Sequence, residues 1–390
     1  MKAKFKDSLK NITLILISTI ISIYIVEVFY SVYKVSSLRA NKLSNEGRSK
    51  FDEFLALKKN YEKLTVSTAP FFLLSQKKNL TKEIFPLSGI SNVLTIDCNE
   101  SGYFSKYFSD RYGFNNEDEI WDKEVEVLLI GDSFTHGACV NRPHTFTGNF
   151  NLKFNTLSLG YAGNGPLLEL GIIKEYIKII NPKKVIWIFS EDNDLDDIKI
   201  EFDHQILRKY VLEKNFLQNL KEKQNIVNDL QNKIVDQEFY NHFDKNNRII
   251  DFKNLKLSNI LYLKNLKNLI RYKFKINISK GKEFDDEIYE LFNNVIFEAN
   301  RVVKKNNAEL YFVFLPQYPG KLSNLGQRFK SYQKIINIVS KQKIKVIDLH
   351  KLIFEKLDDP KSFFPGRVNG HYTKYGYKVA SEVILENILK

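Results

Sequence analysis

The residues best suited to chemistry in this chain are a serine, a glycine-rich loop and a late histidine. Ser133 lies in the run Val125 to Gly137, VEVLLIGDSFTHG. Val125, Val127, Leu128, Leu129 and Ile130 have the largely apolar character of a central parallel strand, and Gly131-Asp132-Ser133 breaks that strand directly after it. Open α/β sheets bind ligands at that end of their strands, which makes Ser133 a candidate nucleophile and puts Asp132 beside it. The same three residue types also make an ordinary turn and helix N-cap. A hydroxyl is a weak nucleophile at its own pKa and needs a base, and histidine is the side chain that titrates near neutrality. His371 is the candidate, in Asn369-Gly370-His371 ahead of a helical pattern through Tyr377, Val379, Val383 and Ile384. Between the two, Asn155 to Pro166 runs a short strand into a loop whose Gly160, Gly163 and Gly165 permit close backbone approach.

Serine first, glycine loop next and histidine last is an order that resembles the SGNH/GDSL hydrolase superfamily, over about residues 110–390 with one long insertion. A further match is Asn193 in Phe189-Ser190-Glu191-Asp192-Asn193-Asp194, where Glu191 stands in place of the family's usual glycine. The resemblance implies a three-layer α/β/α, flavodoxin-like domain with a parallel sheet, and ester hydrolysis or acyl transfer as its chemistry. Ester attack creates an oxyanion that needs fixed donors, each worth roughly 3 to 4 kcal/mol of barrier. By resemblance these are the Ser133 N–H, the Gly163 N–H and the Asn193 side-chain amide. The family's aspartate, two or three residues before the histidine, is replaced here by Asn369 and Val368. Asn369 is therefore the expected partner of the ring, with Asp358 or Asp359 as substitutes. The missing charge leaves a second reading open, a degenerate glycan-binding protein of the same fold.

Among the other histidines, His136 shares a helical face with Ser133 at i+3 and is the runner-up base. His350 closes a strand-like segment, and His144, His204 and His242 lack ligand-type spacing. The glycines occur as G-x-x-G-x-G, unlike a dinucleotide fingerprint, and the chain contains neither GKS nor GKT. No metal and no cofactor are expected.

The elements that must carry these residues begin with a membrane signal. Asn11 to Tyr33 is a mostly apolar stretch of 23 residues whose single charge is Glu27. At about 1.5 Å per residue it reaches across a hydrocarbon core of about 30 Å. It reads as a membrane anchor, with a cleaved signal peptide as the runner-up. Lys2, Lys4, Lys6 and Lys10 precede it and Lys34, Arg39 and Lys42 follow, a slight bias toward a cytoplasmic N-terminus. The two cysteines, Cys98 and Cys139, form an even pair and are a disulfide candidate in an exported domain.

The expected organisation is an anchor over 1–34, a stalk and lead-in over 35–120, and a catalytic domain over 121–390 with a basic helical insertion at 202–285. Strands are expected near 125–131, 155–159, 184–189, 309–315 and 343–348, with helices between them. Between residues 205 and 282 there are 17 Lys and Arg against 7 Asp and Glu, so ten of the chain's net 13 positive charges are local to the insertion. Within it, Asn259 to Phe274 is amphipathic, suited to anionic glycan or lipid headgroups as well as to a plain solvated face. Nucleic acid is not an expected partner, because no such binding module is present. The partners expected are an ester-bearing glycan or lipid substrate and the membrane, with the domain outside the cytoplasm.

Overall fold

The computed structural model describes residues 2–45, 49–74, 83–191, 193–246, 260–264, 266–267, 284–316, 318 and 325–389. Of these, the side chains of 2–9, 32–45, 71–72, 240–246 and 325–330 lie outside the description, as do Asp192 and most of the amphipathic segment. The chain divides into two compact units, one of residues 1–49 with 240–279 and one of residues 50–239 with 280–390.

The second unit holds a five-stranded, all-parallel sheet. Its strands are β4 (Val127–Gly131), β5 (Thr156–Ser158), β6 (Lys184–Ser190), β7 (Glu309–Leu315) and β8 (Lys345–Asp348), in the spatial order β5-β4-β6-β7-β8. Counted within the sheet this is 2-1-3-4-5, the flavodoxin-like doubly wound order. The side-chain period of two sorts each strand between two cores. Leu128 and Ile130 of β4, Trp187 and Phe189 of β6, and Phe312 and Phe314 of β7 face one side. There they pack under the helices Pro166–Ile180, Asp286–Lys305 and Leu325–Lys341. Val127 and Leu129, Ile186 and Ile188, and Tyr311 and Val313 face the other, under Phe146–Phe150 and Lys374–Ile388. Both faces are thus covered, which is why the strands read as continuous apolar runs. The result is a three-layer α/β/α domain.

A smaller sheet precedes it, with β1 (Leu64–Val66) parallel to β2 (Leu94–Ile96) and β2 antiparallel to β3 (Lys106–Phe108). This region is stitched to the main domain. Phe85, Leu87, Phe114 and Ile120 join the larger core cluster. Asn116 Nδ2 donates to the Ser158 carbonyl at 2.8 Å, and its Oδ1 accepts from Ser158 N at 2.9 Å. The start of the insertion holds the same region from the other side, through Gln218 Oε1 on Phe85 N and Gln231 Oε1 on the Thr68 hydroxyl.

In the first unit, one helix runs Lys2–Asn45 and carries a stretch, Lys10–Ser31, long and apolar enough to cross a membrane. Glu27, the acidic residue within that stretch, is buried, and its Oε2 accepts the Leu266 N–H at 2.7 Å. One turn earlier the Tyr24 hydroxyl donates to the Leu261 carbonyl at 3.2 Å.

Candidate active site

Ser133 is presented by a sharp strand-to-helix turn. β4 ends at Gly131, whose φ of 156° goes with a crowded position: a β-carbon there would stand 2.2 Å from Thr135 Oγ1 and 2.6 Å from the Ile188 carbonyl. Asp132 caps the short helix Ser133–His136 by accepting Phe134 N at 2.9 Å. Burial pushes the Asp132 carboxyl up to about 6, against that hydrogen bond and the charge of His371. Ser133 is the first residue of the helix, so its N–H has no intrahelical acceptor. Because β4 is flanked by β5 and β6, the loops after all three strands gather at one sheet end. Ser133 lies in the first of them, Gly163 in the second and Asn193 in the third.

His371 meets Ser133 there. Its Nε2 lies 2.8 Å from Ser133 Oγ, and its other ring nitrogen, Nδ1, lies 2.9 Å from Glu100 Oε1. The second carboxylate oxygen of Glu100 accepts the His371 backbone N–H at 2.6 Å. This pairing assigns the neutral tautomer, with Nδ1–H donating to Glu100 and Nε2 accepting from the serine hydroxyl. Burial alone pushes the His371 pKa down, but the hydrogen bond and charge of Glu100 more than reverse this and raise it above the ordinary histidine value. For Glu100, burial pushes upward and the bonds from His371 outweigh it, leaving the carboxyl below its usual range. The ring is held on its flank by Phe134, at 5.1 Å between centroids.

The ring partner is therefore Glu100, where the sequence pointed to Asn369. Asn369 is exposed, and Nδ1 is already taken. Asp359 pairs with Arg367, so it does not serve as the substitute carboxylate. His136 does not stand against Ser133 Oγ. It is buried between the rings of Tyr107 and Tyr161, its Nδ1 accepts Ala162 N at 3.3 Å, and burial lowers its pKa. Gly163 has a left-handed φ of 83°, and a β-carbon there would come within 2.9 Å of Ala69 Cβ. Asn193 precedes the helix Asp194–Asp203, and its Nδ2 donates to Asp197 Oδ2 at 3.0 Å, which leaves a second amide hydrogen.

Cys98 and Cys139 are joined as a disulfide. These two sulfurs and His371 come close together, yet both sulfurs are consumed by the bond, so the trio is not a metal site. The sequence contained a signal for Glu100: it lies two residues past Cys98, and Cys139 lies six past Ser133, so pairing the cysteines brings a carboxylate to the serine loop.

No family model matches the chain, and no curated protein does. Among solved structures it is similar to a putative lipolytic protein of the G-D-S-L family from Desulfitobacterium hafniense, at 12% identity over 67% of this chain and 97% of that one, with a TM-score of 0.36. It is likewise similar to an acetyl xylan esterase, at 12% identity over 68% and 100% of the two chains and a TM-score of 0.36. A lipase/acylhydrolase from Enterococcus faecalis aligns at 13% identity over 68% and 95%, also with a TM-score of 0.36.

Proposed function

We propose that this chain is a membrane-anchored serine ester hydrolase or O-acyltransferase of the SGNH type, acting outside the cytoplasm on O-acyl groups of an envelope glycan. The observation that supports it best is the continuous relay of Ser133 Oγ, His371 and Glu100, with contacts of 2.8 and 2.9 Å. In this reading His371 Nε2 takes the Ser133 proton as Oγ attacks the ester carbonyl carbon. The carbonyl oxygen becomes an oxyanion facing the Ser133 N–H, the Gly163 N–H and the Asn193 amide. Glu100 keeps Nδ1–H oriented and stabilises the imidazolium. The imidazolium then returns its proton to the leaving alcohol, giving an acyl-serine. Water or an acceptor hydroxyl, deprotonated by the same ring, attacks that acyl group and frees Ser133.

The non-catalytic reading drew its force from the missing carboxylate, and Glu100 removes that reason. The test uses the full chain in detergent with p-nitrophenyl acetate and a fluorophosphonate probe. Ser133 is expected to be labelled, and Ser133→Ala to abolish both labelling and turnover while the fold is unchanged. Folded wild-type protein that neither labels nor turns over the ester returns the chain to the glycan-binding class.

A further inference from the structure

Glu100 sits in an irregular turn between β2 and β3 that closes mainly on itself. Asp97 N donates to the Ser105 carbonyl, Ser105 N to the Cys98 carbonyl, and Gly102 N to the Asn99 side chain. None of these bonds fixes the turn relative to Ser133. Ties that do so meet the loop after the Ser133 helix, among them the Cys98–Cys139 disulfide, Asp97 Oδ2 on Cys139 N at 3.2 Å, Asn141 Oδ1 on Lys106 N at 3.3 Å, and the Arg142 guanidinium on the Phe108 carbonyl at 2.6 Å. The disulfide is the covalent one. It also touches the site directly, since Cys139 Sγ lies 3.7 Å from His371 Nδ1, the nitrogen that Glu100 holds. Cys139 has a φ of 62°, a conformation that glycine adopts most easily, so its side chain is kept at a backbone position that favours having none.

We propose that the Cys98–Cys139 disulfide is a positioning device for the reaction, clamping the Glu100 turn to the serine loop so that the Glu100 carboxylate stays on His371. This rests on the serine-hydrolase reading. A disulfide closing a loop of 41 residues stabilises the fold whatever else it does, so loss of stability does not discriminate. A positioning role makes a sharper demand: the bond acts through Glu100, and its removal matters only while Glu100 is present.

The experiment is a double-mutant cycle on the full chain in detergent micelles with p-nitrophenyl acetate. It compares wild type, Glu100→Gln, the Cys98→Ala/Cys139→Ala pair and all three substitutions together. Alanine is used so that no thiol is left beside His371. Glu100→Gln is expected to lower kcat roughly 10²- to 10⁴-fold, the range set by losing a triad carboxylate. The alanine pair is expected to lower kcat about 10-fold or more with KM held within about 3-fold, and to cost less than about 3-fold on the Glu100→Gln background. NMR titration of His371 supplies a readout that needs no turnover: its midpoint falls from wild type to the alanine pair, while the triple variant matches Glu100→Gln. An alanine pair that keeps kcat within about 2-fold, or that costs the same factor with and without Glu100, overturns the proposal. If the pair does not fold, phosphine reduction of folded wild type, which gives two thiols and the phosphine oxide, supports the same comparison. An inert wild type whose Ser133 resists labelling sinks the hydrolase reading instead. In that chain an unmoved His371 midpoint on reduction still overturns the clamp.

Discussion

Glu100 reaches both the ring and the backbone of His371, and the space for that double contact comes from the neighbouring residue. A β-carbon on Gly370 would stand 2.6 Å from Glu100 Oε2, so the glycine is a steric condition for the carboxylate. Gly370→Ala should push Glu100 off the ring and lower kcat by roughly 10-fold or more, within the range that triad carboxylates span. The pH profile gives the sign. In the proposed mechanism His371 must be neutral to act as the base, so activity should be lost as pH falls through its pKa, which Glu100 raises above the ordinary value. Displacing Glu100 removes that support, and the acid limb of kcat/KM should move to lower pH. Asn369→Asp, one residue away, should leave both kcat and the limb within about 3-fold and a few tenths of a pH unit, because the ring nitrogen is occupied. An alanine variant with wild-type kcat and an unmoved limb would sink this account of Glu100. Ser133 and His371 were legible because their positions carry local marks, a strand break and a helix start. Glu100 leaves none, since its partner is 271 residues away in the chain and its turn has no period.

The same contrast holds for the secondary structure. β4 to β8 were legible because strands buried on both faces read as apolar runs, and the structure has them within a few residues of the expected positions. The strands β1, β2 and β3 have three residues each, too short for alternation to stand out from a Phe- and Ser-rich background. A second hidden feature caps the helix Pro166–Ile180. Its N-cap is Gly165, which has no side chain to offer, and Glu201 from a later helix accepts Gly165 N, Leu167 N and Leu168 N at 2.7, 2.9 and 3.4 Å. Burial, against those three hydrogen bonds, pushes the Glu201 carboxyl up to about 8. The folded chain therefore holds a proton there that the unfolded chain releases above its ordinary carboxyl pKa, near 4.5. Between those two values the native state binds the extra proton, so this contribution to stability falls as pH rises toward 8. Glu201→Gln is neutral at every pH and should flatten that slope with little loss near neutrality. Glu201→Ala orphans the helix start and should cost about 1 to 3 kcal/mol in urea unfolding. If Gln and Ala lose equally, or the Gln variant keeps the wild-type slope, Glu201 is not the cap described.

For the molecule as a whole, two features bear on which side of a membrane the serine faces, and they carry unequal weight. Within reach of the apolar helix, four lysines precede the stretch and Lys34, Arg39 and Lys42 follow it, so the flanking charge barely favours a cytoplasmic N-terminus. The large positive charge lies in the insertion, far downstream, and charges in long translocated domains count little toward orientation. The disulfide is the stronger sign, because disulfides form and persist in oxidising compartments and are reduced in the cytoplasm. The full chain should therefore sediment with membranes and resist carbonate extraction. A phosphatase reporter that matures only when oxidised, fused after residue 390, should be active, while a fluorescent protein that matures only in the cytoplasm should stay dark at the same position. Peptide mapping of unreduced protein from that membrane fraction should recover Cys98 and Cys139 joined. A dark phosphatase, a bright fluorescent fusion and two free thiols would together place Ser133 in the cytoplasm and overturn the envelope assignment, while leaving the relay of Ser133, His371 and Glu100 to be judged on turnover alone.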